Sequence, residues 1–125
     1  RTDRTSLVRI PGYRPNRERT CRIELRSPDP AANPYLAFAV MLAAGLAGVE
    51  EGLELSPAAD GARQQARALP QTLGEAVELF AESQLMRKTL GEYIHDYLVQ
   101  AKRAEWREYQ SCVSQWELDH YLAVL

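Results

Sequence analysis

Cys21-Arg22-Ile23-Glu24-Leu25-Arg26 alternates apolar and polar or ionised side chains, and Ser27-Pro28-Asp29-Pro30 follows it directly. A period of two is that of a β-strand. Cys21, Ile23 and Leu25 fall on one face, while Arg22, Glu24 and Arg26 line the other as plus, minus, plus. The prolines end the strand, because proline has no N–H to give to a ladder. An apolar back with an ion-lined front suits phosphates, carboxylates and a hard cation. An ordinary solvated strand has the same pattern, and alternation alone does not choose between them.

Upstream, Ser6-Leu7-Val8-Arg9-Ile10 is a second short strand, closed by Pro11-Gly12. The arginine-rich stretch from Tyr13 to Arg19 joins the two as a long hairpin. Residues 1–26 carry eight arginines against three acids, whereas the rest of the chain carries seven basic and fourteen acidic residues. A basic arm on an acidic body points to an anionic ligand, such as a nucleotide, a nucleic acid or a carboxylate.

Downstream, Asn33-Pro34 is a helix start: Asn caps, and Pro fits the first helical position. The helix is expected to run to about Glu51. It is apolar nearly all round, so it reads as a buried helix. Ala43, Ala44, Gly45, Ala47 and Gly48 suit close neighbours, and such a helix needs more protein around it than a small domain supplies. The run from Pro34 to Val49 is short for a membrane span. Gly52 to Gln71 reads as a loop, with a short helical turn near Ala62–Ala68.

Thr72-Leu73-Gly74-Glu75 has capping-box spacing and opens a helix to about Glu82. Its apolar positions Leu73, Ala76, Val77, Phe80 and Ala81 share one face. Ser83 caps a short helix that Gly91 stops. The longest helix is expected over about Glu92–Tyr109, with a stripe of Ile94, Tyr97, Leu98, Ala101, Ala104 and Trp106. Ser114-Gln115-Trp116-Glu117 is a second capping box, starting a last helix to about Ala123. The fold class is therefore α+β and mainly helical: two antiparallel strands (1–30), a buried helix (31–51), a loop (52–71) and a helical cluster (72–125).

With 125 residues, 46% hydrophobic and 26% charged, the chain has the composition of a globular domain or part of one. Cys21 and Cys112 match no metal spacing and read as reduced thiols. His95 and His120 read as packing or surface residues, and Trp106 and Trp116 as core or interface anchors. There is no P-loop, dinucleotide glycine pattern, His-Glu-x-x-His or nucleophile elbow. What remains is the arginines and Glu24. Arginine binds phosphate and carboxylate oxygens two at a time and stays charged. A strand carboxylate suits Mg²⁺, but one carboxylate is an incomplete site.

The stretch Arg22-Ile23-Glu24-Leu25-Arg26-Ser27-Pro28-Asp29-Pro30-Ala31-Ala32-Asn33-Pro34-Tyr35-Leu36-Ala37-Phe38-Ala39 closely resembles the C-terminal motif of the catalytic domain in glutamine synthetases of the bacterial and archaeal type I kind. Asp3-Arg4-Thr5-Ser6-Leu7-Val8-Arg9-Ile10-Pro11 looks like the family's Asn-Arg-Ser stretch. Leu69 to Ala76 and Gln115 to Leu122 look like its C-terminal helical region. The resemblance covers essentially the whole chain. It implies ATP-dependent phosphorylation of the glutamate γ-carboxylate, followed by displacement of phosphate by ammonia. It implies ATP and Mg²⁺ or Mn²⁺ as cofactors, and a cytoplasmic homo-oligomer, a dodecamer, as the whole protein.

By motif position, the resemblance makes Glu24 a metal ligand and places Arg4 and Arg26 on glutamate and the transferring phosphoryl group. Arg9, Arg19 and Arg22 go to the nucleotide phosphates. Asp3 departs from the family's Asn. The 52–68 loop lacks the tyrosine segment that some relatives adenylylate, so no such modification is expected. The other metal ligands and the ammonium site belong to parts of the family's enzymes that precede this region. The chain is therefore expected to be a fragment, inactive alone, with exposed strand edges and an underpacked 34–51 helix. A glutamate–amine ligase is the nearest alternative, since the acceptor pocket lies upstream. A basic-arm nucleic-acid or scaffold module is the other. The absence of aromatic residues between the strand arginines speaks against nucleic acid, and no membrane partner is expected.

Overall fold

The computed structural model describes residues 7–12, 15–16, 18–54 and 68–124. Arg4, Asp3 and most of the 52–71 loop lie outside them, so the expectations placed there are not addressed. The chain divides into two compact units, 1–68 and 69–125, each described by itself.

In the first unit β1 (Val8–Arg9) and β2 (Glu24–Leu25) pair antiparallel, with Val8 opposite Leu25 and Arg9 opposite Glu24. The Arg26 N–H donates to Leu7 O at 2.9 Å and carries the pairing one residue further. The ladder is shorter than the alternation suggests. Cys21 instead donates its N–H to Glu18 O, closing the single 3-10 turn Glu18–Thr20. After β2, Asp29 Oδ1 accepts from Ala31 N–H at 2.7 Å, folding the Pro28–Ala32 segment into a turn.

That turn delivers Asn33, whose Oδ1 accepts from the N–H groups of Tyr35 and Leu36. Such a cap is worth about 0.5–2 kcal/mol over alanine. Helix α1 (Pro34–Glu50) follows. It ends on Gly52, at φ +62°, with Leu53 N–H bonded to Gly48 O and Gly52 N–H to Val49 O. This is the paired closure that a left-handed glycine allows. The burial expected of α1 is not reached within this chain: none of its residues is buried, and Tyr35, Phe38, Leu42 and Val49 are mostly exposed. The expected underpacking is what the structure has. Among the described residues no helix is long and apolar enough to cross a membrane.

In the second unit α2 (Leu73–Glu82) lies on α3 (Gln84–Ser111), and α4 (Gln115–Tyr121) ends the chain. The expected face of α2 is the one it covers: Val77 is buried and Leu73, Ala76, Phe80 and Ala81 are half-buried. Thr72 caps as expected, accepting from Glu75 N–H. The Glu75 carboxylate reaches Gln71 N–H instead of the cap itself, so the box is offset by one residue. At Ser114 both halves of the box are present.

Gly91 (φ 76°, ψ 156°) interrupts α3 where the sequence places a stop. The stripe beyond it differs from the expected one. His95 and Val99 are buried, whereas Ile94, Tyr97, Ala101 and Ala104 are exposed; Leu98 and Trp106 stay half-buried. The reason is that His95 has both ring nitrogens within reach of acceptors and stacks on Phe80 at 5.0 Å, so a polar residue takes the inner position. Counting apolar residues alone rotates the helix by one position. The Val77 and Val99 side chains contribute about 1.5–3 kcal/mol each by burial. Arg103 closes over the outside of the pair with two bonds to the Glu78 carboxylate.

Trp106 lies against Gly74. A Cβ placed there would stand 2.5 Å from Trp106 Nε1 and 2.9 Å from Cε2. Gly74→Ala should therefore destabilise the second unit by about 1–3 kcal/mol, despite alanine's better helix propensity. In a Trp106→Ala background the same change should be neutral or stabilising. Thermal denaturation of the four variants checks this, and equal effects in both backgrounds would contradict the packing described.

Candidate functional site

The hairpin of the first unit brings together three of the side chains singled out from the sequence. Arg9 and Glu24 are directly opposite in the ladder, and such partners hold their side chains side by side. Arg9 Nη1 donates to Glu24 Oε2 at 3.0 Å. Arg26 is two residues from Glu24, hence on the same face, and its Nε donates to Glu24 Oε1 at 2.8 Å. One carboxylate thus lies between two guanidinium groups. Arg26 is the more sheltered of the two, with 26% of its side chain exposed against 44% for Arg9.

The hydrogen bond from Arg26, and then that from Arg9, hold the Glu24 carboxyl below the usual carboxylate range; partial burial opposes them. The carboxylate is therefore ionised at neutral pH, and the cluster carries two positive charges against one negative. Such a surface attracts anions, and the planar guanidinium forks match phosphate and carboxylate oxygens.

The remaining candidates are placed differently. Arg22 lies just before β2, and its Nη1 donates to Thr20 O at 3.2 Å. Arg19 sits in the Glu18–Thr20 turn and is exposed. Arg4 lies outside the described residues. The alternation places Arg22 with Glu24 and Arg26, but the strand begins only at Glu24, so alternation no longer fixes the Arg22 side chain. The Arg9–Glu24 pair is what reading the strands singly misses. The signal that could find it is the hairpin register, which sets Val8 opposite Leu25.

Glu24 is a single carboxylate, and one carboxylate is not a metal site. Among the described residues no group of three or more His, Cys, Asp or Glu could hold an ion. Mg²⁺ takes near-octahedral oxygen coordination, so a cation at Glu24 needs further ligands from elsewhere. Each Glu24 oxygen already accepts from one guanidinium, so a cation there would share the carboxylate with Arg9 and Arg26. In the second unit a groove of about 410 Å³ runs between Gln71–Leu73 and the Glu105–Tyr109 turn. Its one acid, Glu105, is paired with Lys102 at 2.6 Å, so it offers no acid–base couple. Cys21 and Cys112 are free thiols, as expected.

Comparison with known proteins decides the family. Residues 1–121 match the model of the glutamine synthetase catalytic domain. The chain belongs to that family. It is 45% identical to glutamine synthetase of Mycolicibacterium smegmatis over 98% of its length. It is 41% identical to those of Thermus thermophilus and Methanosarcina mazei, again over 98% of the chain. In each case it covers only 29–30% of the relative, so it spans under a third of their length. The family resemblance read from the residues around Glu24 is the one the comparison returns.

The electrostatics give a direct check. Titrated by ¹³C NMR, the Glu24 carboxyl should ionise below the ordinary glutamate range. Arg26→Ala should move it back up by more than Arg9→Ala does. Because its folded-state value is depressed, the support it gives the hairpin is present above the ordinary glutamate range. That support is lost as pH falls through the folded value. An ordinary titration unaffected by either substitution would contradict the bridging geometry.

Proposed function

We propose that these residues are part of the catalytic domain of an enzyme that joins ammonia to the γ-carboxylate of glutamate at the expense of ATP, forming glutamine through a γ-glutamyl phosphate. The observation that carries the reading is the family match across residues 1–121, with Arg9, Glu24 and Arg26 meeting on one hairpin face inside it. Phosphoryl transfer to a carboxylate crowds negative charge around the moving group, and fixed cations stabilise that charge most effectively.

In this reading Arg26 and Arg4 bind glutamate and the transferring phosphoryl group. Arg9, Arg19 and Arg22 bind the nucleotide phosphates. A divalent cation, Mg²⁺ or Mn²⁺, would neutralise phosphate oxygens when bound, with Glu24 as one ligand and the others from outside these residues. The salt bridges to Glu24 support these roles by holding Arg9 and Arg26 toward one point before any substrate arrives. Pre-set charge of this kind needs little rearrangement during reaction. The apolar side chains that α1 leaves uncovered support further protein around this chain. The whole protein is proposed to be a cytoplasmic homo-oligomer, a dodecamer, and the 125 residues alone to be inactive.

The test is phosphate release from Mg-ATP and glutamate by the whole protein, offered either ammonia or a panel of amines. Ammonia-dependent release is expected, reduced at least about 100-fold by Glu24→Gln and by Arg26→Ala. Release with amines alone would replace this reading by a glutamate–amine ligase. Absence of release with every acceptor, or turnover by the isolated 125 residues, would contradict it.

A further inference from the structure

α3 is continuous in sequence but broken in backbone. Gly91, at φ 76° and ψ 156°, lies in a region that essentially only glycine populates, and it separates residues 84–90 from residues 92–111. At the other end Ser83, at φ −76° and ψ 112°, is extended and separates residues 84–90 from α2. The short segment therefore has a non-helical joint on each side. A helix of about two turns does not persist by itself in water, so what holds it must come from its neighbours.

The two parts of α3 are held differently. Residues 92–111 carry His95 and Val99, both buried. Residues 84–90 include no buried residue; Leu85, Met86, Thr89 and Leu90 are half-buried. The Ser83 hydroxyl accepts from Met86 N–H at 3.3 Å, which caps the first turn of the segment but ties it to nothing beyond the joint. Among the described residues, the ion pair that crosses Gly91 is Arg87 with Asp96, Nη2 to Oδ1 at 3.1 Å. The same Asp96 oxygen lies 3.0 Å from Nδ1 of the buried His95, so Asp96 is fixed on the packed side and Arg87 reaches to it from the short segment. Both partners are open to water, with 37% and 51% of their side chains exposed. A pair so exposed is weak and opens readily.

We propose that residues 84–90 are a hinged segment, pivoting at Ser83 and Gly91 and latched to residues 92–111 by the Arg87–Asp96 pair. Two joints at element ends, no buried anchor between them and one exposed tie across the break are the parts of a hinge. When the latch opens, the segment swings and uncovers Leu85, Met86 and Leu90. The packing of α2 on the rest of α3 survives, because Val77, His95 and Val99 all lie outside the moving part.

The experiment is amide hydrogen exchange, resolved to single residues by NMR and corrected for intrinsic rates, on the complete 125-residue chain. Amides of residues 87–90 report the segment, starting with Arg87 N–H, which donates to Ser83 O at 3.1 Å. Amides of residues 97–103 report the packed part. In the unsubstituted chain residues 87–90 should be at least about tenfold less protected, as expected of a unit that opens by itself. Arg87→Met keeps a long apolar stem and the helix propensity but removes the charge. It should speed exchange at residues 87–90 by about 2–5-fold, the effect of losing an exposed ion pair, and leave residues 97–103 unchanged. Lys88→Met, which removes the neighbouring charge and leaves the latch intact, should change neither stretch. Equal protection of the two stretches in the unsubstituted chain would overturn the proposal. So would an Arg87→Met variant with no acceleration, or with the same acceleration in both stretches, or an equal effect from Lys88→Met.

Discussion

A carboxylate held between two guanidinium groups is the constraint around which the first unit is arranged. Glu24 faces Arg9 because the strands are in register, and faces Arg26 because strand residues two apart share a side. Shift the register by one residue and the cross-strand Arg9–Glu24 pair is lost, because Arg9 then no longer faces Glu24, whereas Glu24 and Arg26 move together. The hydrogen bond from Arg26 N–H to Leu7 O fixes that register from the backbone. Two paired residues per strand are a small platform. The charges also lie partly in water, where isolated pairs add little stability. Their significance is arrangement rather than stability: two cations are aimed at one anion before a substrate is present.

The two units are stabilised differently. The second buries Val77, Val99 and His95 between two helices and closes them with the Glu78–Arg103 pair. The first relies on local closures: the Asp29 turn, the Asn33 cap and the Gly52 ending. Each stops or starts an element without needing a core. The apolar surface of α1 therefore stays uncovered, as expected of a sequence that spans under a third of its relatives' length.

Much of this was legible in the residues. Asn33-Pro34, Thr72, Ser83, Gly91 and Ser114 each announce a helix boundary through a capping or left-handed backbone requirement that few residues meet. The stripe of α3 was not legible, because His95 is polar by type and buried by virtue of its partners. The length of β2 was overestimated for a related reason. Alternation shows which residues could share a face, whereas the 3-10 turn ending at Thr20 decides where pairing begins. The Arg9–Glu24 contact depends on the register of two strands fifteen residues apart, which neither strand encodes alone. The roles proposed for these residues rest on the match of a long run of residues, since one carboxylate and several arginines fit many anion-binding surfaces.

The most direct test of the central claim is a graft. The corresponding segment of the Mycolicibacterium smegmatis glutamine synthetase, 45% identical, is replaced by these residues. Phosphate release dependent on both glutamate and ammonia is then measured in the assembled hybrid. If the arginine–glutamate face of this chain serves that chemistry, the hybrid works within about tenfold of its host. A hybrid that assembles as the host does but releases no phosphate would contradict the account.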